Sequence, residues 1–413
     1  MRQGRLNVSR PPGPHRNLTG GPGGLRSILC SALGRACQRL ALRRVSPQRA
    51  GHEPRASSQG KLTTVPQAAD TIEAGGTYPP RRRYRTPAVV RVGLLAVGWL
   101  VVAVLGLVAL LRLVAWDVLE PLIVLDALAL AIYLPAWIVA AGALIARRWW
   151  LAAAAAVTVA AQLVFVMPEL LAAAPVPAWA RHAPVLRVFD ANIDQSLQFH
   201  AGYARAIEQD RPDLITLEEF TPQALQGMAA SGVLARYPYR CVAPADGAFG
   251  FLIASRLRLT GCQVQAVFSS DSRFPAPYMV EATLSSPGGP VAVRLVHTLA
   301  PLPPYWREWK AALAAVDQSV RASGDSRMLM VGDFNATWGN SGFAGLLHHG
   351  LTDGAAARGK AADMTWPNGA VVPPFVRIDH VLTGAHLAVT GITAKPGFGS
   401  DHRYLVATVA IRP

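Results

Sequence analysis

The order of hydrophobic and polar positions divides the chain into two regions of different character. Residues 89–171 are apolar almost throughout, and each uninterrupted piece approaches the roughly 20 residues that cross a bilayer as a helix. Short polar breaks predict three transmembrane helices, at residues 92–111, 122–145 and 150–171. The alternative, a buried helical hairpin in a soluble protein, is disfavoured by the arginines and tryptophans that edge these stretches.

Beyond a Pro/Ala linker at residues 172–184 the pattern changes to short alternating segments. Period-two runs predict strands and wider apolar spacing predicts helices. The predicted strands are 185–192, 214–219, 249–255, 291–297, 328–332, 375–382 and 404–411, and the predicted helices include 203–209, 223–230 and 305–320. This mixture, with polar residues at strand ends, predicts an α/β two-sheet sandwich flanked by helices over residues 185–413, preceded by an all-α transmembrane region over residues 87–171.

Residues 1–86 are rich in Gly, Pro, Ser, Gln and Arg without an apolar period, so a basic disordered tail is predicted. Within it, residues 25–42 allow a targeting peptide or an amphipathic patch on the inner membrane surface, and a mis-chosen start codon is a further alternative. This tail carries 16 Lys and Arg against 3 Asp and Glu, whereas residues 183–413 carry 19 against 18. The formal charge of +15 therefore belongs to the tail, and the C-terminal domain has no basic excess for nucleic acid.

The arginines also predict orientation. They cluster before the first predicted helix and between the second and third, at Arg81, Arg82, Arg83, Arg85, Arg91, Arg147 and Arg148. Both clusters belong on the cytoplasmic side, and three spans then put the C-terminal domain outside the cytoplasm. The prediction is a multi-pass protein of the cell membrane, with the bilayer as its partner and no protein partner. In an oxidising compartment Cys241 and Cys262 can form a disulfide, but two buried thiols are equally compatible with the sequence.

Four motifs carry the candidate chemistry, each at the end of an apolar, strand-like run: Leu217-Glu218-Glu219, Gly332-Asp333-Phe334-Asn335, Arg377-Ile378-Asp379-His380 and Ser400-Asp401-His402. Together they resemble the endonuclease/exonuclease/phosphatase superfamily over about residues 185–411. The resemblance implies a deoxyribonuclease-like sandwich that hydrolyses phosphate esters. It does not identify the substrate, because loops set specificity on such a fold.

The resemblance also implies a metal site. Glu219 matches the family's metal-holding glutamate, Asn192 supports the metal or a phosphate oxygen, and Asp401 lies near the metal. Side chains alternate across a strand, so one of Glu218 and Glu219 is expected to face the site, and we expect Glu219. Oxygen ligands suit Mg²⁺, with Mn²⁺ and Ca²⁺ as alternatives.

The remaining matched residues are implied to be catalytic. Asp333 and Asn335 position the attacking water, while His402 and Asp379 form a dyad in which the carboxylate orients the imidazole. Either Asp333 or His402 is the general base. His297, which follows a strand, is implied to donate to the phosphate or to the leaving oxygen.

Two further residues lie near this set in the sequence-based interpretation. Arg307 is a candidate for contact with the substrate phosphate, although packing of its helix explains it equally well. Trp366, in a Thr-Trp pair that recurs in the family, is expected to pack near the cleft. His380 is expected to be structural.

The sequence thus predicts a membrane-anchored, divalent-metal-dependent phosphoesterase that acts by metal-assisted attack of water outside the cytoplasm. The substrate is a phospholipid or another phosphodiester. An extracytoplasmic endonuclease or exonuclease is the alternative within the same chemistry, with nucleic acid disfavoured by the domain's charge. A non-catalytic, membrane-tethered binding module is the alternative from another class, and it is disfavoured because no matched position is lost.

Overall fold

A computed structural model describes residues 87–195, 198–267 and 276–413 of the chain. The predicted tail at residues 1–86 lies outside the described residues. The N-terminal helices are α1 Ala88–Ala115, α2 Glu120–Ala127, α3 Ala129–Ile132, α4 Leu134–Ile145 and α5 Trp149–Leu170. By length and composition α1 and α5 are long and apolar enough to cross a membrane, and the segments from α2 to α4, bent by 75°, make a third if they count as one span.

The two long helices run in the same direction. Gly98 of α1 lies against Leu151 of α5, and further along Arg112 lies over the ring of Phe165, 4.4 Å from its centre. The contacts therefore advance together along both helices. Val139 of α4 packs at the level of Gly98 and Leu151, whereas Tyr133, which precedes α4, lies beside Phe165 further along α5, with 6.2 Å between the ring centres. The segment between the long helices thus runs antiparallel to both.

A polar side chain hydrogen-bonds the backbone carbonyls near the break in the middle segment. The Gln162 amide nitrogen donates to the carbonyl oxygens of Ala129 and Leu130, at 3.4 and 2.9 Å, and its oxygen accepts from the Trp137 indole at 2.7 Å. In an apolar environment backbone groups freed by a helix break need such partners. Arg112 and Asp126, both buried, lie 3.7 Å apart beside it.

Residues from 185 onward form the two-sheet sandwich that the sequence predicts. Within the described residues the strands are β1 Val185–Asn192, β2 Leu214–Glu218, β3 Tyr239–Ala243, β4 Phe251–Ser255, β5 Leu259–Val267, β6 Ala276–Ser286, β7 Gly289–His297, β8 Met328–Asp333, β9 Thr352–Asp353, β10 Asp379–Thr383, β11 Leu387–Lys395 and β12 Tyr404–Ile411. One six-stranded sheet has the order β11-β12-β1-β2-β4-β3 and the other β5-β6-β7-β8-β10-β9. At their centres β1 pairs parallel with β2, and β7 with β8.

Alternation along each strand builds three apolar layers. In β1, Leu186 and Val188 enter the core between the sheets, while Phe189 and Ala191 face the helices outside. The helices are α6 Ala201–Asp210, α7 Pro222–Ala230, α8 Trp306–Ser323, α9 Ser341–His348 and α10 Gly354–Ala357. Helices α6 and α7 cover the first sheet, and α8 and α9 cover the second.

Several predicted elements change in the structure. The strand expected at residues 375–382 begins only at Asp379, because Pro373 and Pro374 lead into an irregular segment that makes a single bridge, between Trp366 and Val376. The open question about the cysteines is answered by a disulfide between Cys241 and Cys262, with a Cα–Cα distance of 5.7 Å. It links β3 to β5 and thereby joins an edge of one sheet to an edge of the other.

The connection after α1 packs into the sandwich. Ile123 is fully buried in the apolar cluster that also contains Trp309 and Phe334. Asp117 accepts hydrogen bonds from the backbone and hydroxyl of Ser341, at 2.5 and 2.8 Å, and from the Asn340 amide at 3.3 Å. Residues 116–127 therefore form part of the support of the loop that follows β8.

Candidate active site

The predicted site residues meet at one end of the sandwich. The parallel pairs β1–β2 and β7–β8 end there, and β10 and β12 begin there. In register, Asn192 lies opposite Glu218, and Asp333 lies opposite both His297 and Asp379. Sheet topology alone thus brings together motifs that are far apart in the sequence.

A backbone turn directly after β2 directs the Glu219 side chain towards this end of the sandwich. Strand β2 ends at Glu218, and Glu219 has φ = 55°, in the left-handed region that non-glycine residues seldom adopt. Its carboxylate accepts from the Asn192 amide at 3.2 Å and from the Gln195 backbone N–H at 2.8 Å. Glu218 is also buried. Its Oε1 lies so close to Gly332 of the opposite sheet that a Cβ added to this glycine would be only 2.7 Å away. The expectation that only one of the two carboxylates faces inward was wrong, because the turn at Glu219 interrupts the alternation.

Asp333 is the centre of the cluster. Its Oδ2 accepts from the Asn192 amide at 3.1 Å and the Asn335 amide at 3.2 Å. The same oxygen lies 3.6 Å from His402 Nε2 and 3.7 Å from His297 Nε2. Burial raises the pKa of Asp333 to about 8, although the neighbouring His402 acts in the opposite direction.

The Gly-Asp-Phe-Asn sequence is explained by packing around Asp333. Gly332 has φ = 124°, and a side chain there would collide with the carbonyl oxygen of Val296. Asn335 has φ = 47°; its backbone N–H donates to Asp333 Oδ1 at 2.8 Å and its side chain to the Thr298 carbonyl at 2.8 Å. Asparagine tolerates this conformation better than most residues, and its amide connects the strand ends of β7 and β8.

His402 and Asp379 form the predicted dyad. His402 Nδ1 lies 3.1 Å from both carboxylate oxygens of Asp379, and both side chains are buried. The Thr365 hydroxyl accepts from the Asp379 backbone N–H at 3.3 Å, and the Ser400 hydroxyl accepts from that of His402 at 3.0 Å. Burial lowers the pKa of His402, but the carboxylates of Asp379 and Asp333 outweigh it, so the pKa lies well above its usual range. The ring therefore favours the charged form, with Nε2 directed to the cluster.

Asp401 lies at the solvent side of the dyad. Its side chain is half exposed, accepts from the Trp366 indole at 3.0 Å, and lies 3.9 Å from His402 Nε2. Trp366 is thus beside the cleft, as the sequence indicated. Arg307 is exposed in the first turn of α8, outside the buried cluster.

A family model described as "Endonuclease/Exonuclease/phosphatase family" matches residues 189–402, just over half of the chain. The chain belongs to this family. No curated protein sequence matches it.

Solved structures with a similar fold include a D. rerio TDP2 complexed with a single-strand DNA product, at 18% identity and TM-score 0.45, covering 55% of this chain and 98% of the other. A 3'-5' exonuclease (NExo) from Neisseria meningitidis has 19% identity and TM-score 0.44, covering 55% and 100%. An endonuclease/exonuclease/phosphatase from Beutenbergia cavernae has 18% identity and TM-score 0.42, covering 55% and 72%.

The endonuclease/exonuclease/phosphatase site also contains two buried acids that the sequence interpretation did not assign. Asp190 accepts from the Thr216 hydroxyl at 2.7 Å, and burial raises its pKa to about 7. Burial and the nearby Asp190 raise the pKa of Glu218 well above its usual range. The available signal was position, since Asp190 stands two residues before Asn192 on the same face of an apolar strand.

The donor set fits the divalent metal that enzymes of the endonuclease/exonuclease/phosphatase family use. Carboxylate oxygens of Asp333 and Asp379 and a ring nitrogen of His402 lie within 4.8 Å of one another. This group does not include the predicted ligands Glu219 and Asp401, whose role as ligands stays a prediction. Five buried acids lie at this end of the sandwich against two buried histidines, His297 and His402; the acids are Asp190, Glu218, Glu219, Asp333 and Asp379. A hard cation would balance such an excess. Asn192 directs its amide nitrogen at Glu219 and Asp333, so it bridges the two carboxylates here, and its role as a ligand stays a prediction.

Proposed function

We propose that this protein is a membrane-anchored, divalent-metal-dependent phosphoesterase, with its catalytic domain outside the cytoplasm and a phospholipid or another phosphodiester as substrate. The observation that carries the proposal is the convergence on Asp333 of two imidazoles and two amides at one end of the sandwich. Hydrolysis of a phosphodiester needs a positioned water and positive charge around the phosphoryl oxygens. Asp333, held by two amides, is suited to bind the water, and the two imidazoles are suited to supply positive charge.

Asp333 and Asn335 act on the water. Asp333 accepts its proton, and the amides of Asn192 and Asn335 hold the carboxylate in place for that step. Glu219 would hold Mg²⁺, or Mn²⁺ or Ca²⁺ instead, and Asn192 and Asp401 would be further ligands. The bound metal would offset negative charge on the phosphoryl oxygens.

The two histidines act on the phosphate. Asp379 occupies Nδ1 of His402, which leaves Nε2 to donate to a phosphoryl oxygen. His297 Nε2 lies 3.6 Å from Glu219 and 3.7 Å from Asp333, on the same cluster, and donates to the phosphate or the leaving oxygen. Asp333 is the general base in this scheme because His402 is held in its charged form.

Three observations support the membrane topology. The parallel course of α1 and α5 supports a return crossing between them, because two parallel spans need one. The part of the bent segment after the bend, Ala129–Ile145, provides it, whereas α2 before the bend packs against the sandwich. Arg147 and Arg148 lie at the end opposite to the sandwich contacts, in agreement with a cytoplasmic position. The Cys241–Cys262 disulfide is typical of an oxidising compartment outside the cytoplasm.

A nuclease remains the second candidate, because family membership includes nucleases. The near balance of charges in residues 183–413 disfavours it. The non-catalytic binding module is disfavoured because every matched polar residue is retained and all but the mouth residue Asp401 are buried or partly buried in hydrogen-bonded positions.

The test uses the full chain, purified in detergent, with a small chromogenic phosphodiester, phospholipid micelles and plasmid DNA as separate substrates. We expect Mg²⁺-dependent, chelator-sensitive cleavage of the small diester, lost in His402→Ala. His348→Ala, which removes an exposed histidine at the end of α9, is the matched control and should leave the rate unchanged. A folded wild-type protein that cleaves no diester with any divalent ion would contradict the proposal, and preferred cleavage of DNA would favour the nuclease.

A further inference from the structure

Two apolar loops border the mouth of the site. Residues 301–305 lie between β7, which ends at His297, and α8. Residues 368–375 precede β10, which begins at Asp379. Neither loop, together named the rim loops, contains a charged residue. They expose large apolar side chains, with exposed fractions of 43% for Leu302, 37% for Tyr305, 85% for Val371, 52% for Val372 and 36% for Phe375.

This exposure is concentrated. From residue 185 onward, the described residues include nine strongly exposed large apolar side chains, and five of them lie in the rim loops. The others, Val185, Tyr239, Val242 and Val264, are scattered over strands. Contiguous exposed apolar surface marks an interaction site more often than scattered residues do.

The end of the sandwich that carries the rim loops is also the end that contacts the N-terminal helices. Glu169, in the last turn of α5, forms an ion pair of 2.9 Å with Arg377, two residues before Asp379. The Trp116 indole, just after α1, donates to the Gly339 carbonyl at 2.7 Å, four residues after Asn335. Four residues of chain span at most about 14 Å, so the site lies near the ends of α1 and α5.

The course of the linker, residues 172–184, agrees with a sandwich whose site end lies near α1 and α5. The chain leaves α5 beside Arg377 at the site end, yet β1 begins at Val185 at the opposite end, where the Pro184 carbonyl accepts from the Ile411 backbone N–H. Residues 171–184 thus run the length of the sandwich, about 26 Å for an eight-residue strand. Strand β1 then runs back towards α1 and α5, and ends at Asn192.

We infer that the rim loops contact the outer surface of the bilayer that holds α1 and α5, and that the site hydrolyses the phosphodiester of lipid headgroups in that same bilayer. The inference rests on the proposed function and names its substrate class. Uncharged loops with exposed Val, Phe and Tyr suit the boundary between headgroups and acyl chains. Arg307, exposed two residues after Tyr305, would there meet lipid phosphates.

Nucleic acid fits this mouth less well. A polyanion is recruited by basic side chains around a cleft, and the rim loops have none. Apolar loops towards a bilayer would also narrow the approach of a long polymer, whereas a lipid arrives from the membrane side by lateral diffusion. The partner surface is therefore the membrane itself.

The test uses the full chain reconstituted in vesicles of phosphatidylethanolamine and phosphatidylglycerol with Mg²⁺. Lipid products are measured by mass spectrometry, in the protein's own vesicles and in protein-free vesicles added to them. Hydrolysis of a soluble chromogenic phosphodiester is measured in parallel, because it reports the site without the membrane surface. The variant is V371D/V372D, and the matched control is Val185→Asp, whose valine is as exposed as Val372, at 52%, but lies at the other end of the sandwich.

We expect lipid turnover mainly in the protein's own vesicles, and a loss of at least about tenfold in V371D/V372D. The reason is that charged aspartates replace valines that the inference buries in the bilayer, and losing about 1.4 kcal/mol of that burial corresponds to tenfold. Soluble diester turnover should be unchanged in both variants. Unchanged lipid turnover in V371D/V372D, or faster cleavage of an added oligonucleotide than of lipid, would overturn the inference. Failure of the wild type on the soluble diester would instead contradict the proposed function itself.

Discussion

At the scale of single residues, the Asp379–His402 pair makes a prediction about pH. Asp379 keeps the pKa of His402 well above its usual range, so the imidazolium that donates to phosphate persists into alkaline solution. Asp379→Asn removes that charge and should lower the pKa of His402. We expect the alkaline limb of the kcat profile to move to lower pH, with kcat reduced by about 10²-fold or more at its optimum.

The pH profile of the soluble-diester reaction checks this. Asp363→Asn, which changes a partly exposed carboxylate, is the control and should leave the limb in place. An alkaline limb that stays unchanged in Asp379→Asn would show that His402 does not act as the charged donor.

A second residue-scale prediction concerns the buried Arg377–Asp353–His380 network. Arg377 donates twice to Asp353, both at 2.9 Å, and His380 Nδ1 lies 3.1 Å from it. Burial raises the pKa of Asp353, but Arg377 and His380 outweigh it and hold the pKa well below its usual range. A depressed pKa contributes stability above the unfolded value of about 3.9, and that stability is lost as pH falls through the folded value.

Asp353→Asn removes the carboxylate charge that pairs with the buried Arg377. It should lower the free energy of unfolding by about 3–5 kcal/mol at neutral pH. The difference from wild type should narrow well below pH 4, where the wild-type carboxylate also becomes protonated. Thermal unfolding of the detergent-purified chain at both pH values measures it. If wild type and Asp353→Asn differed in stability by the same amount at both pH values, the stability could not be assigned to the ionised carboxylate.

The site shows how far single residues can be predicted. Family resemblance pointed to Glu219, Asp333 and His402, because each motif lies at the start or end of a strand and these termini meet at one end of the sandwich. It missed Asp190, because this acid lies outside the four motifs and is marked only by sharing a strand face with Asn192. The parallel pairing of β1 with β2 puts Glu218 near Asp190, and the close approach of the other sheet at Gly332 buries Glu218 between the sheets.

At the scale of elements, the connection after α1, residues 116–127 with α2 included, packs as part of the catalytic sandwich. Ile123 is fully buried among Trp309, Phe334 and Phe343. The core of the sandwich is therefore completed by a residue that precedes β1 by some sixty positions. Ile123→Ala should lower stability by about 2–5 kcal/mol. Val118→Ala, at an exposed position of the same connection, should have little effect.

Thermal unfolding of the two variants in the full chain, followed by tryptophan fluorescence, makes the comparison. Residues 180–413 expressed alone should unfold at lower temperature than the full chain for the same reason. Equal unfolding temperatures for Ile123→Ala and wild type would show that this contact contributes nothing to the sandwich.

Element boundaries were predictable where alternation is regular and buried. Strands β1 and β12 begin and end at the predicted residues. Strands β5 and β11 were not predicted, because Gly261 and Gly391 interrupt their patterns and both ladders contain register shifts. Polar residues of β5 face solvent at a sheet edge, so hydrophobic periodicity contains no signal there.

At the scale of the whole molecule, the disulfide predicts a difference between the two ends of the chain. Cys241 and Cys262 are bonded, whereas Cys30 and Cys37 lie in the tail predicted to be cytoplasmic. In cells lysed in a denaturant with a thiol-reactive polymer, we expect Cys30 and Cys37 to be labelled without reduction, and all four cysteines only after it. Labelling of all four without reduction would contradict an oxidising location for the sandwich.

The whole-molecule arrangement was only partly predictable. Composition and the arginine clusters predict the order of tail, spans and sandwich. They did not show that the sandwich turns its catalytic end towards α1 and α5, because that depends on side-chain contacts such as Glu169–Arg377 between distant segments.

The central claim is that Asp333 lies at the centre of a metal-dependent phosphodiesterase. It is tested most directly by the kcat of full-length wild type and Asp333→Asn for a soluble phosphodiester, after chelation and after Mg²⁺ is restored. We predict wild-type activity that disappears on chelation and returns with Mg²⁺, and a loss of about 10²–10⁴-fold in a folded Asp333→Asn protein when Mg²⁺ is present. Chelator-resistant activity, or an Asp333→Asn variant as fast as wild type, would contradict it.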